Sequence, residues 1–67
     1  MAASYRFHKF AFHLGELVLI AATGKAGTIV ALAENPHEDA DSFLVQTSPA
    51  SQEWCNGNLL RRPVLDV

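Results

Sequence analysis

The sequence predicts an all-β domain of about five short antiparallel strands that close into a small barrel or sandwich. Three observations carry this expectation. Apolar runs rich in β-branched residues recur at strand length: LVLIA at Leu17–Ala21, TIVALA at Thr28–Ala33 and SFLVQT at Ser42–Thr47. Turn-forming residues separate them, at Gly24, Asn35-Pro36, Pro49 and Asn56-Gly57. No stretch of the chain shows a helical period.

Bulk properties narrow the class further. A chain of 67 residues makes one domain at most. A domain this short buries only ~60% of the surface its unfolded chain exposes, so it needs support from disulfides, a metal or self-association. With a single cysteine, Cys55, no disulfide can form within the chain. A lone thiol also fits a reducing compartment. With 49% hydrophobic and 18% charged residues the composition is globular. A formal net charge of −2 with five basic residues argues against nucleic-acid binding, which depends on many Lys and Arg neutralising phosphates. The longest apolar stretch, Leu17–Ala22, falls far short of the ~20 residues of a spanning helix. Arg6 and Lys9 ahead of Phe10 imitate the start of a signal peptide, but His13, Gly15 and Glu16 interrupt the apolar region. The cytoplasm is the expected location.

Met1–Ser4 is expected to fray. Phe10, Phe12 and Leu14 alternate at period two and suggest an additional N-terminal strand, with Tyr5 and Phe7 on the opposite parity. Those two aromatics either join the core through a twist or bulge, or make contacts between subunits. Leu17–Ala21 and Thr28–Ala33 form a hairpin whose turn spans Ala22–Ala26, and Gly27 marks a bulge or a close backbone approach. Consecutive Ile29 and Val30 point to a central strand buried on both faces. Glu34–Asp41 is an acidic, solvated loop. Ser42–Thr47 is the third strand and Gln52–Cys55 the fourth. Asn56-Gly57-Asn58 then turns the chain, Leu59-Leu60 forms a 3₁₀ turn, and Pro63 confines the last strand to an edge.

Few constellations could carry chemistry. Lys25 beside Gly24 has the flavour of a phosphate loop, yet Leu19 stands where the first glycine belongs and Ala26 where Ser or Thr belongs. His8, His13 and His37 with Cys55 show no metal-ligand spacing, and no metal or cofactor is expected. Cys55 has no readable base or oxyanion partner, which leaves it a half-buried structural thiol. Trp54 has two open placements. Core packing is the commoner fate of a large aromatic in a small domain. If exposed, Trp54 would form an anchor with Arg61 and Arg62 as a basic rim, suited to an acidic peptide or a stacked ring.

The layout Phe12-x-x-Gly15-x-x-Val18, Gly24-x-x-Gly27-x-Ile29-Val30, acidic loop, Phe43-x-Val45, Trp54 and Leu59-Leu60 resembles the SH3-like small barrel, with glycines placed much as in KOW-type modules. The resemblance spans about residues 10 to 63 and implies a fold more than a function. The stretch Phe43-Leu-Val-Gln-Thr-Ser and the later Leu60-Arg-Arg are also similar to segments of the type II dihydrofolate reductases. These are small SH3-like chains from plasmids and integrons that assemble as tetramers around one pore. Their Val-Gln-Ile-Tyr motif is replaced here by Gln52-Glu53-Trp54-Cys55, so the resemblance implies a symmetric oligomer and not the reductase activity.

The expectation is therefore a non-enzymatic interaction or assembly module, of the sort found on phage or mobile elements. It would associate with itself through Tyr5 and Phe7 or a sheet edge, and with a protein or peptide through Trp54, Arg61 and Arg62. A small-molecule-binding or enzymatic oligomer with its site on a symmetry axis is the alternative, followed by weak nucleic-acid binding.

Overall fold

A computed structural model describes residues 9–35 and 40–64. Tyr5, Phe7, His8 and His37 lie outside the described residues. Five antiparallel strands form one sheet: β1 (Leu17–Ile20), β2 (Ala26–Ala33), β3 (Ser42–Ser48), β4 (Ser51–Asn56) and β5 (Leu60–Arg61). The spatial order is β4-β3-β2-β1-β5, and the sheet curls into a half-barrel of SH3-like form. A 3₁₀ turn, Gly57–Leu59, is the sole helical element among the described residues.

The strands form where alternation lets one face leave water. Val18 and Ile20 of β1, Ile29 of β2, Phe43 and Val45 of β3, Cys55 of β4 and Leu60 of β5 all point inward and are buried. Each such apolar side chain contributes about 1.5–3 kcal/mol relative to exposure. Phe43 sits at the centre, with the Phe12 ring edge-on at 5.3 Å and the Phe10 ring at 6.1 Å. Phe12 is buried, so the segment before β1 does pack on the core, but it does so as bend and turn. The expected strand over Phe10–Leu14 is absent, and Leu14 is exposed. Its chain bends at residues 11–12 and turns at 14–15, where Gly15 donates to the Ile29 carbonyl at 2.7 Å.

The β1–β2 hairpin turns through residues 21–25. Gly24 adopts φ +75°, a left-handed conformation natural to glycine, and its N–H donates to the Ile20 carbonyl at 2.7 Å. Gly27 is inward-facing, opposite Val18, and makes the close approach that its position in the strand suggested. A β-carbon there would lie 2.5 Å from Val45 Cγ1 and 2.9 Å from the Gln46 carbonyl oxygen. Strand β2 is central, as expected, but it is not buried on both faces. A bulge between Ile29 and Ala31 turns Val30 outward, where it is 38% exposed. The final turn is held by Asn56, whose Oδ1 accepts from the Asn58 N–H at 2.9 Å. The Leu59 carbonyl then accepts from the Ala21 N–H at 2.9 Å, which delivers β5 to the edge of β1.

Candidate functional site

The outward face of the sheet follows from the same alternation. With Phe43, Val45 and Cys55 directed inward, Leu44, Gln46, Gln52 and Trp54 face out. The register lines them up in rows: Ala31, Leu44 and Trp54 in one, Thr28, Gln46 and Gln52 in the next. Gln52 Nε2 donates to Gln46 Oε1 at 3.2 Å, which fixes the second row. Leu17 extends it on β1, opposite Thr28. The first row is apolar, with Trp54 55% exposed and Val30 beside it at the bulge, whereas Leu17, 52% exposed, is separated from Trp54 by two strands, at the far end of the polar row. Trp54 is thus a surface residue, and core packing is corrected. Its parity is opposite to that of Cys55, and the inward positions of β3 and β4 are already filled.

The structure separates the basic pair from the tryptophan in the sheet order. Trp54 lies on edge strand β4 and Arg61 on the opposite edge strand β5, with three strands between them. Arg61 is exposed on the outward side of β5, opposite Leu19. Arg62 has a different commitment. Its Nε donates to Glu16 Oε2 at 2.6 Å, its Nη2 donates to the Ala11 carbonyl, and its guanidinium lies 4.6 Å from the Phe12 ring centroid. These contacts pin the segment after β5 onto the segment before β1. Glu16 is held below the ordinary carboxylate range, first by the His13 N–H donating to its Oε1 at 3.0 Å and then by Arg62.

Cys55 is buried rather than half-buried. Burial, and secondarily the nearby Glu53 charge, pushes its thiol above the usual range, which disfavours the nucleophilic thiolate. His13 is exposed and lies 3.6 Å from Glu16. Among the described residues no three His, Cys, Asp or Glu side chains gather as metal ligands, and no helix is long and apolar enough to cross a membrane. No cavity is present among the described residues.

Two groups of contributors escaped the sequence reading. Leu17, Val30 and Leu44 share the tryptophan's face, and strict alternation from Phe43 and Val45 would have identified Leu44. Val30 depends on a bulge that has no local signature. The Glu16–Arg62 pairing joins residues 46 positions apart and carries no local signal at all. No protein-family model, curated protein or solved structure matches the chain.

Proposed function

We propose that this chain is a non-enzymatic interaction or assembly module that works through the outer face of its sheet, with Trp54 as the anchor. The observation that supports this reading is the exposed indole in one row with Leu44 and Ala31, next to Val30 at the bulge. Large aromatics held at the surface by secondary structure are the side chains that dominate binding energy at interfaces. An apolar patch of this kind on a small domain marks a contact surface. The chemistry available elsewhere fits the same reading, since the thiol is suppressed and Arg62 is engaged in holding the fold. Arg61 lies on the same outward side as Trp54 but on the far edge. It therefore contributes charge to a partner that spans the sheet, and does not form a rim around the indole.

The test is Trp54→Ala. Circular dichroism should show a folded chain, and stability should fall by no more than about 1–2 kcal/mol, because just over half of the side chain is solvated (55%). Association, read by light scattering for self-contacts or by titration for a partner, should weaken by one to two orders of magnitude, the loss of about 1.4–2.8 kcal/mol typical of an anchor. A variant that folds normally and associates as wild type would overturn the reading.

A further inference from the structure

The two edges of the sheet are finished differently. Strand β5 is two residues long and is followed at Pro63 by a residue that cannot donate to a ladder. Short length and proline are the usual ways of blunting an edge. Strand β4 runs for six residues, Ser51–Asn56, pairs on one side with β3, and contains neither proline nor lysine. Its sole charge is Glu53.

The Gly57 N–H donates to the Asp41 carbonyl at 2.8 Å, one step beyond the Ser42–Asn56 pair, so residues 41 and 57 form a hydrogen-bonded pair. Alternation then makes Phe43–Cys55 and Val45–Glu53 hydrogen-bonded pairs as well. Gln52 and Trp54 are the intervening residues, and their N–H and C=O groups point away from β3, toward an edge that no strand among the described residues covers.

From this edge we infer that β4 pairs antiparallel with β4 of a second copy, about a two-fold axis at Trp54. The inference rests on the interaction-module reading and names its partner. A two-fold axis normal to the sheet can centre only on a residue, because opposed side chains must share a face. Centring on Gln52 or Cys55 shortens the overlap, since the β3–β4 turn and the 3₁₀ turn bound the strand. Centring on Glu53 sets two carboxylates directly opposite each other, which is destabilising. Centring on Trp54 keeps five residues in register and places Glu53 opposite Cys55 of the second copy. It also puts the two indoles side by side on the outer face. The row Ala31, Leu44, Trp54 then continues through its symmetry mate as one apolar ridge across both copies. A domain with this small a core gains most from exactly such shared burial.

Light scattering over a concentration series, amide exchange and Gln52→Pro together test the inference. The Gln52 N–H faces the edge, so proline there removes an intermolecular donor while β4 keeps its bonds to β3 and Trp54 keeps its exposure. Wild type should reach twice the 7.3 kDa chain mass at high concentration, and folded Gln52→Pro should stay at the single-chain mass. In wild type the Gln52 and Trp54 amides should exchange freely at low concentration and slow by about tenfold when nine chains in ten are paired, while the Glu53 and Cys55 amides are protected by β3 at every concentration. The exchange pattern decides the matter even where Gln52→Pro does not fold. A monomeric wild type overturns the inference, as does a Gln52→Pro dimer or an exchange pattern independent of concentration. A dimer lost in Trp54→Ala but kept in Gln52→Pro overturns edge pairing alone and leaves the Trp54 contact surface standing.

Discussion

Gly27→Ala is the most direct probe of how tightly the two central strands are set. Gly27 has no left-handed φ, so alanine meets no dihedral penalty, and any effect is steric. The new methyl would stand 2.5 Å from Val45 Cγ1, 2.9 Å from the Gln46 carbonyl oxygen and 3.2 Å from Thr47 Cγ2. Carbon atoms rest at about 3.5–4.0 Å, so β2 and β3 must part or Val45 must leave its rotamer. Overfilling a packed core in this way costs about 1–3 kcal/mol. Stiffening the unfolded chain returns about 0.4–1 kcal/mol. The net loss is about 1–2 kcal/mol, a fall in Tm of roughly 4–16 °C for a domain of this size. Urea unfolding followed by circular dichroism measures it. Val45→Ala, which removes the nearest atom, supplies the control. Each single variant destabilises, and the double variant should be less destabilised than the sum by about 0.5–3 kcal/mol. A neutral or stabilised Gly27→Ala, or strictly additive effects, would refute the close-approach reasoning.

Other perturbations follow from the same contacts. Phe43→Ala removes the ring on which Phe10 and Phe12 converge, and a loss of about 3–5 kcal/mol should leave so small a domain largely unfolded by circular dichroism. Gly24→Ala forces a β-carbon into φ +75° and should cost about 1–2 kcal/mol in the same urea assay, although nothing lies within 4 Å of the added atom. Glu16 has a folded-state pKa below its ordinary 4.5, so its contribution is present above that value and disappears as pH falls through the lowered one. Wild type should therefore exceed Glu16→Gln in stability at neutral pH, and the two midpoints should converge in acid. The Cys55 thiol should react with iodoacetamide far more slowly in the native protein than in urea, and equal rates would contradict its burial.

Most of the fold was legible because it rests on local rules. Alternation in SFLVQTS and LVLI, together with turn residues at Gly24, Pro49 and Asn56-Gly57, locates the strands to within one or two residues. The segment Phe10–Leu14 misled because its alternation is real but its backbone partners are absent. Phe12 reaches the core from a bend, and Leu14 continues into a turn toward solvent. Val30 misled for a related reason, since β-branching reports strand propensity but not which face a bulge will present. The site was legible in part. Trp54 stood out by size, but its placement was decided by its parity, opposite to that of Cys55, and by a core already filled by Phe12 and Phe43 with Phe10 against it. Arg61 and Arg62 are adjacent in sequence and so invited a joint role. Consecutive positions point different ways, and the second of them finds its partners near the other end of the chain.

That last contact bears on how the domain comes apart. The Arg62 side chain bridges to Glu16 and Ala11 across nearly the whole described chain, whereas the hairpins β1–β2, β2–β3 and β3–β4 each join neighbours in sequence. Closing so long a loop is entropically dearer than closing a hairpin, and the seam it seals holds just two residues of strand. Loop-closure entropy thus predicts that the meander of β1 to β4 assembles first and β5 with its arginine last. Opening in the reverse order would make the seam a latch, whose release would free Leu60 and uncover Phe12 while the other four strands stay paired. A protease or a slow exchange experiment would meet the molecule in that unlatched form well before it met the unfolded chain.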